Sequence, residues 1–384
     1  MVNNNFYFYK HIIIFIFLFI IGHFTIVLFN FNISQFFDFY ILIFTLLNFK
    51  LKIEKLPYFI TILSILLFSL FYSLSTNNDF DLKYLFVSLK LLVFLLLFIS
   101  ISFNKTIFCK ELDFYWTKKL FIISLFLIIS DKIYLIYQNG LLLGLLERPR
   151  LIGEINFDIV IVLVLWVILK TSKIKYSKFY DYLLFFTVII TLSRSGILAY
   201  ALTIITLQQI NSKSNLLIKF LNNTFYIIFG LALILIIYFI RDPNLDFKNI
   251  DRIQIFTSFI NIYNNENFSK VIYGHSILFP LPDFVCNNFK NLALTTTGDE
   301  NNCNPVILLS YFLRSIYEYG ILIMFLIPYF YYKNISNIKA LSIIFLMPVL
   351  AASLAVGGFY NSMSILSLIF AKYFCEKNYI QNIL

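Results

Sequence analysis

Charged residues are scarce in this sequence. Only 13% of its 384 residues are Asp, Glu, Lys or Arg, while 60% are hydrophobic and the mean hydropathy is +0.84. The surface of a water-soluble fold must be wetted, and this composition cannot supply such a surface. Water-soluble folds are therefore excluded, and we predict that a lipid bilayer is the solvent for most of the chain.

Histidine, cysteine and glycine are also rare, with three His, four Cys and 11 Gly. The His and Cys never occur at the spacing of metal ligands, and the sequence has neither a Gly-rich phosphate loop nor a Gly-x-Ser-x-Gly turn. We therefore expect no metal site and no other cofactor. Alternation of apolar and polar residues with a period of two is missing too, which favours helices over strands as spanning elements.

Apolar runs of about 17–25 residues recur along the chain, as a hydrocarbon layer of about 30 Å requires of helices. They predict an all-α, polytopic membrane protein. The first run lacks the short apolar core and cleavage site of a signal peptide, so we predict a retained first span. Without repeats or low-complexity linkers, residues 1–384 are predicted to form one domain. The twelve predicted spans are 11–31, 36–49, 56–75, 82–103, 117–138, 157–170, 179–193, 195–210, 217–240, 305–332, 338–354 and 358–374.

Lysine is concentrated in alternate short loops, and such loops face the cytoplasm by the positive-inside rule. Both termini are then cytoplasmic, in a bacterial-type inner membrane. Residues 241–304, between the ninth and tenth predicted spans, form a large periplasmic loop. The formal net charge of +10 belongs to the inner face, where it indicates contact with membrane lipids and not with nucleic acid. The lysines that set this orientation include Lys50, Lys52, Lys55, Lys118, Lys119, Lys170, Lys178, Lys213, Lys333 and Lys339.

The four cysteines divide between the two sides of the predicted membrane. Cys286 and Cys303 share the outer loop, whereas Cys109 and Cys375 fall on the cytoplasmic side. Disulfides persist in oxidising compartments, so a bridge between the outer pair is one interpretation. Two unpaired loop cysteines are the other, because spacing alone does not establish a bridge.

Arginine is rare enough for its positions to be informative. Six of the 30 basic residues are Arg, and all six fall on the outer side of the predicted topology. The planar guanidinium binds phosphate or carboxylate through two parallel hydrogen bonds, which Lys cannot do. The sequence therefore predicts an anion-binding outer face formed by Arg148, Arg150, Arg194, Arg241, Arg252 and Arg314.

Arg194 lies in the Ser193–Gly196 cluster, which interrupts an otherwise apolar stretch. Two crossings must fit between Lys178 and Lys213, so each half-helix has about 15 residues and spans roughly 22 Å. The cluster is then predicted to lie below the outer surface, where an Arg survives only inside protein or a wet cavity. A snorkelling anchor at a helix end is the alternative interpretation of Arg194.

Arg314 and Glu318 are four residues apart, and therefore on one face of the helix that follows the long loop. They form either a functional pair or a simple surface ion pair. His275 is the only histidine outside the first predicted span. It is either a general base or a solvated loop residue.

Two further pairs of charged residues are open to a structural interpretation. Arg148 and Arg150 flank a proline before a predicted span, where they are either phosphate ligands or interfacial anchors. Asp38 and Lys90 lie inside predicted spans, and a structural ion pair across the bundle is the favoured interpretation.

Three motifs, in this order along the chain, resemble those of the O-antigen polymerases and O-antigen ligases of Gram-negative inner membranes. Twelve spans with both termini inside also fit this family. Ligase-like members often carry His-Asn where this chain has Leu309-Ser310, so the resemblance favours a polymerase. The motifs are Arg150-Leu-Ile-Gly153 with Asn156 beyond it, Ser193-Arg194-Ser195-Gly196, and a long loop followed by Arg314-x-x-x-Glu318-x-Gly320.

The resemblance implies a metal-independent glycosyltransferase that uses glycans on undecaprenyl diphosphate at the periplasmic face. A hydroxyl of one lipid-linked repeat unit would attack the anomeric carbon of another chain, as in lipopolysaccharide biosynthesis. The arginines, above all Arg150, Arg194 and Arg314, would hold the diphosphates. Glu318 or His275 would take the proton. A chain-length regulator protein is an expected partner.

Two alternatives remain open from the sequence. An O-antigen ligase would use the same donor with lipid A core as the acceptor. A flippase or other transporter of lipid-linked oligosaccharides would place charges along a central path reachable from both sides, whereas this chain confines Arg to one side.

Overall fold

The structure, a computed structural model, describes residues 8–29, 34–76, 82–103, 110–149, 151, 155–172, 177–211, 216–241, 251–264, 266, 268–277, 279–290 and 303–376. Short 3-10 turns in these ranges lie at Ile53–Lys55, Pro305–Leu308 and Gly358–Tyr360. The helices, numbered in chain order, are α1 (Phe8–Phe29), α2 (Ser34–Leu47), α3 (Leu56–Thr76), α4 (Leu82–Ser100), α5 (Lys110–Leu146), α6 (Ile155–Thr171), α7 (Phe179–Ile190), α8 (Arg194–Asn211), α9 (Leu216–Arg241), α10 (Asp251–Asn264), α11 (Phe268–Tyr273), α12 (Asp283–Asn288), α13 (Tyr311–Tyr319), α14 (Ile321–Ile335), α15 (Lys339–Ala355) and α16 (Ser362–Glu376).

Among the described residues, three stretches of helix are long and apolar enough to cross a membrane, over Phe8–Val27, Ile53–Ser75 and Glu111–Leu141. Shorter apolar helices accompany them in the part of the chain that the structure describes, in α2, α4, α7, α9, α14 and α15. Large apolar side chains are exposed on many of these helices. Hydrocarbon accepts such surface without the cost that water imposes. The architecture is consistent with an all-α membrane protein, as the composition predicts.

Each predicted span overlaps a described helix, although the ends differ by a few residues and 358–374 begins in a 3-10 turn. The span predicted over 305–332 is not one helix. It is divided into α13 and α14 at Gly320, whose φ is +85°. This left-handed conformation ends a helix and is readily adopted only by glycine. Sequence hydropathy cannot see the break, because apolar residues continue on both sides of it.

The centre of the bundle is formed by α6 and α16, which pack against each other. In α6 every residue of 157–169 is buried, and all of them except Asp158 are apolar, so the helix has no polar face. Residues 362–375 of α16 are buried as well. Serine recurs along α16, as Ser362, Ser364 and Ser367, and small side chains of this kind allow neighbouring helices to approach closely.

The predicted ion pair between Asp38 on α2 and Lys90 on α4 is confirmed. The Lys90 ammonium lies 2.7 Å from the Asp38 carboxylate. A pair of this kind joins two helices that are distant in sequence, and removing one partner leaves an uncompensated charge.

Two ends of the bundle can be distinguished. At one, which we call the lysine end, the Glu376 carboxylate lies 3.3 Å from Lys55 Nζ and 3.9 Å from Lys52 Nζ, and it accepts a hydrogen bond of 2.8 Å from the Phe103 amide. Both α4 and α16 end here. They begin at the other end, which we call the loop end because the described residues of 251–290 pack there against α13.

Residues 251–290 have a small apolar core of their own. It includes Ile255, Phe259 and Ile262 of α10 together with Val285 of α12, and it is closed by Tyr317 of α13. A disulfide joins Cys286 to Cys303, with 5.4 Å between their Cα atoms. This decides between the two interpretations left open by the sequence. Closing a loop of this length contributes on the order of 3 kcal/mol to the free energy of unfolding.

Candidate functional site

Arg314 and Glu318 form a buried ion pair on α13. Arg314 Nε donates to Glu318 Oε1 over 2.8 Å, and both side chains are almost completely enclosed. The spacing of four residues places them on one face of the helix, as predicted. Burial distinguishes this pair from a surface ion pair, which would contribute only a few tenths of a kcal/mol.

Two other elements complete the cluster around this pair. Ser88 of α4 donates from Oγ to Glu318 Oε1 over 2.9 Å and accepts from Arg314 Nη2 over 3.0 Å. Tyr360 donates from its hydroxyl to Glu318 Oε2 over 2.7 Å, and its ring centroid lies 4.0 Å from Arg314 Cζ. Three donors therefore converge on one carboxylate. The pairing satisfies charges that would otherwise be costly to bury.

The 251–290 segment docks on α13 through two glycines. Gly274, with a φ of +76°, lies against the Glu318–Gly320 backbone, and a Cβ added at Gly320 would lie 2.0 Å from the Ile272 carbonyl oxygen. The His275 amide donates to the Tyr317 carbonyl over 2.8 Å. No side chain fits between the two backbones, so the segment that follows α11 is held directly beside Glu318.

A cleft opens next to this contact. Its walls are one face of α3, residues 272–277, the end of α13 and the start of α14, and its volume is about 550 Å³. Glu318 and Ser276 are among its lining residues. We call it the α3 cleft. Its volume falls within the range of about 300–1,000 Å³ typical of small-molecule sites.

Ser276 is one of the polar residues in the wall of the α3 cleft. Its side chain is buried, and among the described residues its Oγ has no hydrogen-bond partner. Leaving a buried hydroxyl without a partner costs about 1–3 kcal/mol. A ligand oxygen in the cleft would remove this cost.

His275 faces the core of the loop segment and not the cleft. Its ring stacks on Tyr317 at 4.4 Å and on Phe279 at 5.2 Å, and neither ring nitrogen has a hydrogen-bond partner among the described residues. Burial lowers the pKa of His275 to about 4. The ring is therefore neutral at physiological pH, and the solvated interpretation of this residue is wrong.

Arg194 is the first residue of α8, so the break between α7 and α8 lies at residues 191–193, slightly before the Ser193–Gly196 position that the sequence predicts. The turn is closed by Ser193, whose Oγ accepts from the Gly196 amide over 3.1 Å, and Leu192 has a φ of +49°. A positive charge at a helix N-terminus adds to the positive end of the helix dipole. This combination raises the local affinity for an anion.

The segment that carries Arg148 is held by buried polar groups. The Leu151 amide donates to Asp158 Oδ2 over 2.9 Å, and Leu151 O lies 3.2 Å from His23 Nδ1. Lys132 Nζ donates to the Glu147 carbonyl over 2.6 Å. These contacts fix the backbone on both sides of Arg148.

No protein-family model, curated protein or solved structure matches this chain. The assignment of a function consequently depends on the site itself.

The structure brings only some of the predicted site residues together. Arg314 and Glu318 share one cluster, and His275 is attached to it through its backbone. Arg194 and Arg252 lie in the first turns of α8 and α10. Arg150 and the side chain of Arg241 lie outside the described residues, as does Cys109. Among the described residues, no group of three His, Cys, Asp or Glu is placed to hold a metal ion.

The sequence analysis missed three residues that contact the predicted site residues or the segments that carry them: Ser88, Tyr360 and Asp158. Ser88 is one of many serines in apolar helices, and it is 226 residues from Arg314. Tyr360 is one of 26 tyrosines. Only Asp158 carried a signal, as an acidic residue within an apolar run, where a charge is expensive and usually has a task.

Proposed function

We propose that this chain is an O-antigen polymerase of a bacterial inner membrane, with about twelve spans, both termini in the cytoplasm and the loop end at the periplasmic face. Its substrates would be glycans carried by undecaprenyl diphosphate. The observation that carries the proposal is the buried Arg314–Glu318 pair, of which Glu318 is among the residues that line a substrate-sized cleft. A titratable pair that is held by several donors beside a cavity is typical of an active site.

In the proposed reaction, a hydroxyl of the incoming repeat unit attacks the anomeric carbon of the growing chain. The new glycosidic bond forms as the bond to the diphosphate breaks, and undecaprenyl diphosphate leaves with the electron pair. The configuration at the anomeric carbon is inverted. Cationic groups stabilise the charge that develops on the leaving diphosphate, a role for Arg314, Arg194 and Arg150.

The attacking hydroxyl loses its proton to a general base, for which Glu318 is favoured over His275. Both neighbours of His275, Gly274 and Ser276, line the α3 cleft, but its own ring packs into the loop core. Glu318 is itself a lining residue. A base must come within hydrogen-bond reach of the proton that it takes.

Reconstitution tests the proposal directly. The purified protein in liposomes is given undecaprenyl-diphosphate-linked repeat units together with a chelator, and products are resolved by length. We expect a ladder of polymers, which Glu318→Gln reduces at least about 100-fold, the typical contribution of a general base. Glu266→Gln is the matched control, because Glu266 forms an i,i+4 pair with Lys270 at the surface of the loop segment. A strict requirement for a divalent metal would contradict the mechanism.

Arg194→Lys is the second test, in cells. The variant keeps the charge but loses the planar fork, so long-chain polymer is expected to disappear at an unchanged protein level. A normal ladder would refute a bidentate role for Arg194. Deletion of the gene separates polymerase from ligase: loss of a polymerase leaves surface lipid capped with one repeat unit, whereas loss of a ligase leaves none and strands polymer on the carrier.

A further inference from the structure

The α3 cleft has two walls of different chemistry. One wall includes the polar residues Glu318 and Ser276. Ser276 is only 4% exposed, and its Oγ has no hydrogen-bond partner in the part of the chain that the structure describes. A buried hydroxyl without a partner that lines a cavity is a group prepared for a polar ligand atom.

Glu318 has acceptor capacity that its known partners do not fill. A carboxylate offers about four lone-pair directions. Arg314 and Ser88 take two of them at Oε1, and Tyr360 takes one at Oε2. Among the described residues, one direction at Oε2 has no donor.

The facing wall is aromatic. Phe68 and Tyr72, one turn apart on α3, line the cleft with their rings stacked at 6.0 Å and inclined by only 6°. Phe68 is 71% exposed and Tyr72 is 45% exposed. Their ring faces carry the negative part of the aromatic quadrupole, which attracts the slightly positive C–H groups of a flat, partly apolar ligand.

We infer that the α3 cleft is a subsite for a sugar ring, with Phe68 and Tyr72 against the C–H face and with Ser276 and Glu318 hydrogen-bonded to ring hydroxyls. A sugar ring combines one face of C–H groups with a rim of hydroxyls, which matches both walls. A phospholipid acyl chain matches the aromatic wall alone and would leave Ser276 without a partner. The inference rests on the proposed function for the identity of the substrate, because the ring would belong to the lipid-linked repeat unit.

The position of the subsite fits this role. Tyr72 lies four residues from the end of α3 at Thr76, or about 6 Å along the helix axis. The backbone of the opposite wall is already in place, because Gly274 and Gly320 hold residues 272–274 against the end of α13. A site formed before the ligand arrives loses less free energy on binding.

The test compares four single variants. Phe68→Leu, Tyr72→Leu and Ser276→Ala alter the subsite, whereas Phe71→Leu alters a residue of the same helix that is 67% exposed and does not line the cleft. Binding of N-acetylglucosamine and of galactose to the full chain in nanodiscs is measured by saturation-transfer NMR. Polymerisation kinetics are measured for the same proteins with lipid-linked repeat units.

We expect Tyr72→Leu and Ser276→Ala to weaken sugar binding and to raise KM about tenfold, with kcat changed less than about twofold. These side chains would bind the substrate equally well in the ground state and in the transition state, so their loss affects KM and not kcat. Phe71→Leu should match the parent protein. Equal sugar binding and equal KM in Tyr72→Leu and Phe71→Leu would overturn the subsite even if the protein polymerises. Sugar binding that depends on Tyr72 without any polymerisation would instead retain the subsite and refute the proposed function. If a spin-labelled phospholipid occupies the cleft and no sugar signal is seen, the cleft is assigned to lipid.

Discussion

At the scale of single residues, Arg314 shows why this position is an arginine although most basic residues of the chain are lysines. Its Nε and Nη2 donate to Glu318 and Ser88, and its planar face lies over the Tyr360 ring. An ammonium has no flat face and no fixed fork, so it cannot satisfy all three partners at once. The network holds the carboxylate in one orientation beside the cleft.

A double-mutant cycle tests how far Arg314 and Glu318 depend on each other. Arg314→Met leaves the Glu318 charge without its cation, and we expect it to lower the free energy of unfolding by about 3–5 kcal/mol. Arg314→Met/Glu318→Met should lose less than the single variant, because no unpaired charge is buried. The measurement is thermal unfolding in one detergent. The exposed pair Glu266–Lys270 serves as the control, with an expected effect of about 0.5 kcal/mol. Additive losses at Arg314 and Glu318 would contradict the coupling.

His275 predicts a pH dependence of the docked loop segment. Its pKa is about 4 in the folded protein and 6.5 in an exposed chain. Between these values the undocked segment binds a proton that the docked one does not, so docking is fully stable above pH 6.5 and weakens as the pH falls toward 4. Hydrogen exchange of the backbone amides of residues 268–289 measures how the stability of docking changes with pH. His275→Phe keeps the stack without the titrating group and should remove the dependence in that window, and an unchanged dependence would assign it to another group.

The sequence predicts part of the site at this scale. The i,i+4 relation of Arg314 and Glu318 follows from helix geometry alone. Their partners do not, because Ser88 and Tyr360 come from elements that only the packing of the bundle brings together. The neutral state of His275 could not be predicted either, since it depends on aromatic rings from α13 and the loop segment.

At the scale of elements, the break between α13 and α14 places the site. It ends α13 at Tyr319 and allows the backbone of residues 272–274 to lie against Gly320. Hydropathy predicts helix positions well, because apolar runs determine where helices lie. It misses this break, because the cause is one backbone conformation and not a change in polarity.

Gly320→Ala tests the contact between Gly320 and the backbone of residues 272–274. The substitution forces a side chain into a positive φ, at about 1–3 kcal/mol, and places its Cβ against the Ile272 carbonyl. We expect the free energy of unfolding to fall by more than about 2 kcal/mol, and residues 251–290 to be cleaved by protease sooner than in the parent protein. Gly357→Ala is the matched control, because its Cβ would meet nothing closer than 3.6 Å. Equal stability of the two variants would show that the loop segment docks by other contacts.

At the scale of the whole molecule, the separation of the lysine end from the loop end agrees with the sides assigned by sequence. Lys52 and Lys55, predicted inside, meet Glu376 at one end, and the predicted outer loop docks at the other. The separation follows from charge bias in short loops. Which end faces the periplasm is a prediction of the same rule.

Cysteine labelling tests this orientation. Thr257→Cys on α10 and Lys52→Cys at the lysine end are each introduced into a chain with Ser in place of Cys109 and Cys375, while the disulfide stays unreactive toward maleimide. A membrane-impermeant maleimide should label position 257 in intact spheroplasts and position 52 only after lysis. Labelling in detergent controls for access to both sites. The reverse pattern would invert the topology and refute a periplasmic site.

The covalent link between Cys286 and Cys303 has a consequence for biogenesis. Such a bond persists only where thiols are oxidised, so newly made chains would acquire it only after this stretch has been exported. A cell without its thiol-oxidising machinery would then accumulate inserted but immature protein. Its loop segment would keep the contact between Gly274 and Gly320 but lack the covalent link to Cys303.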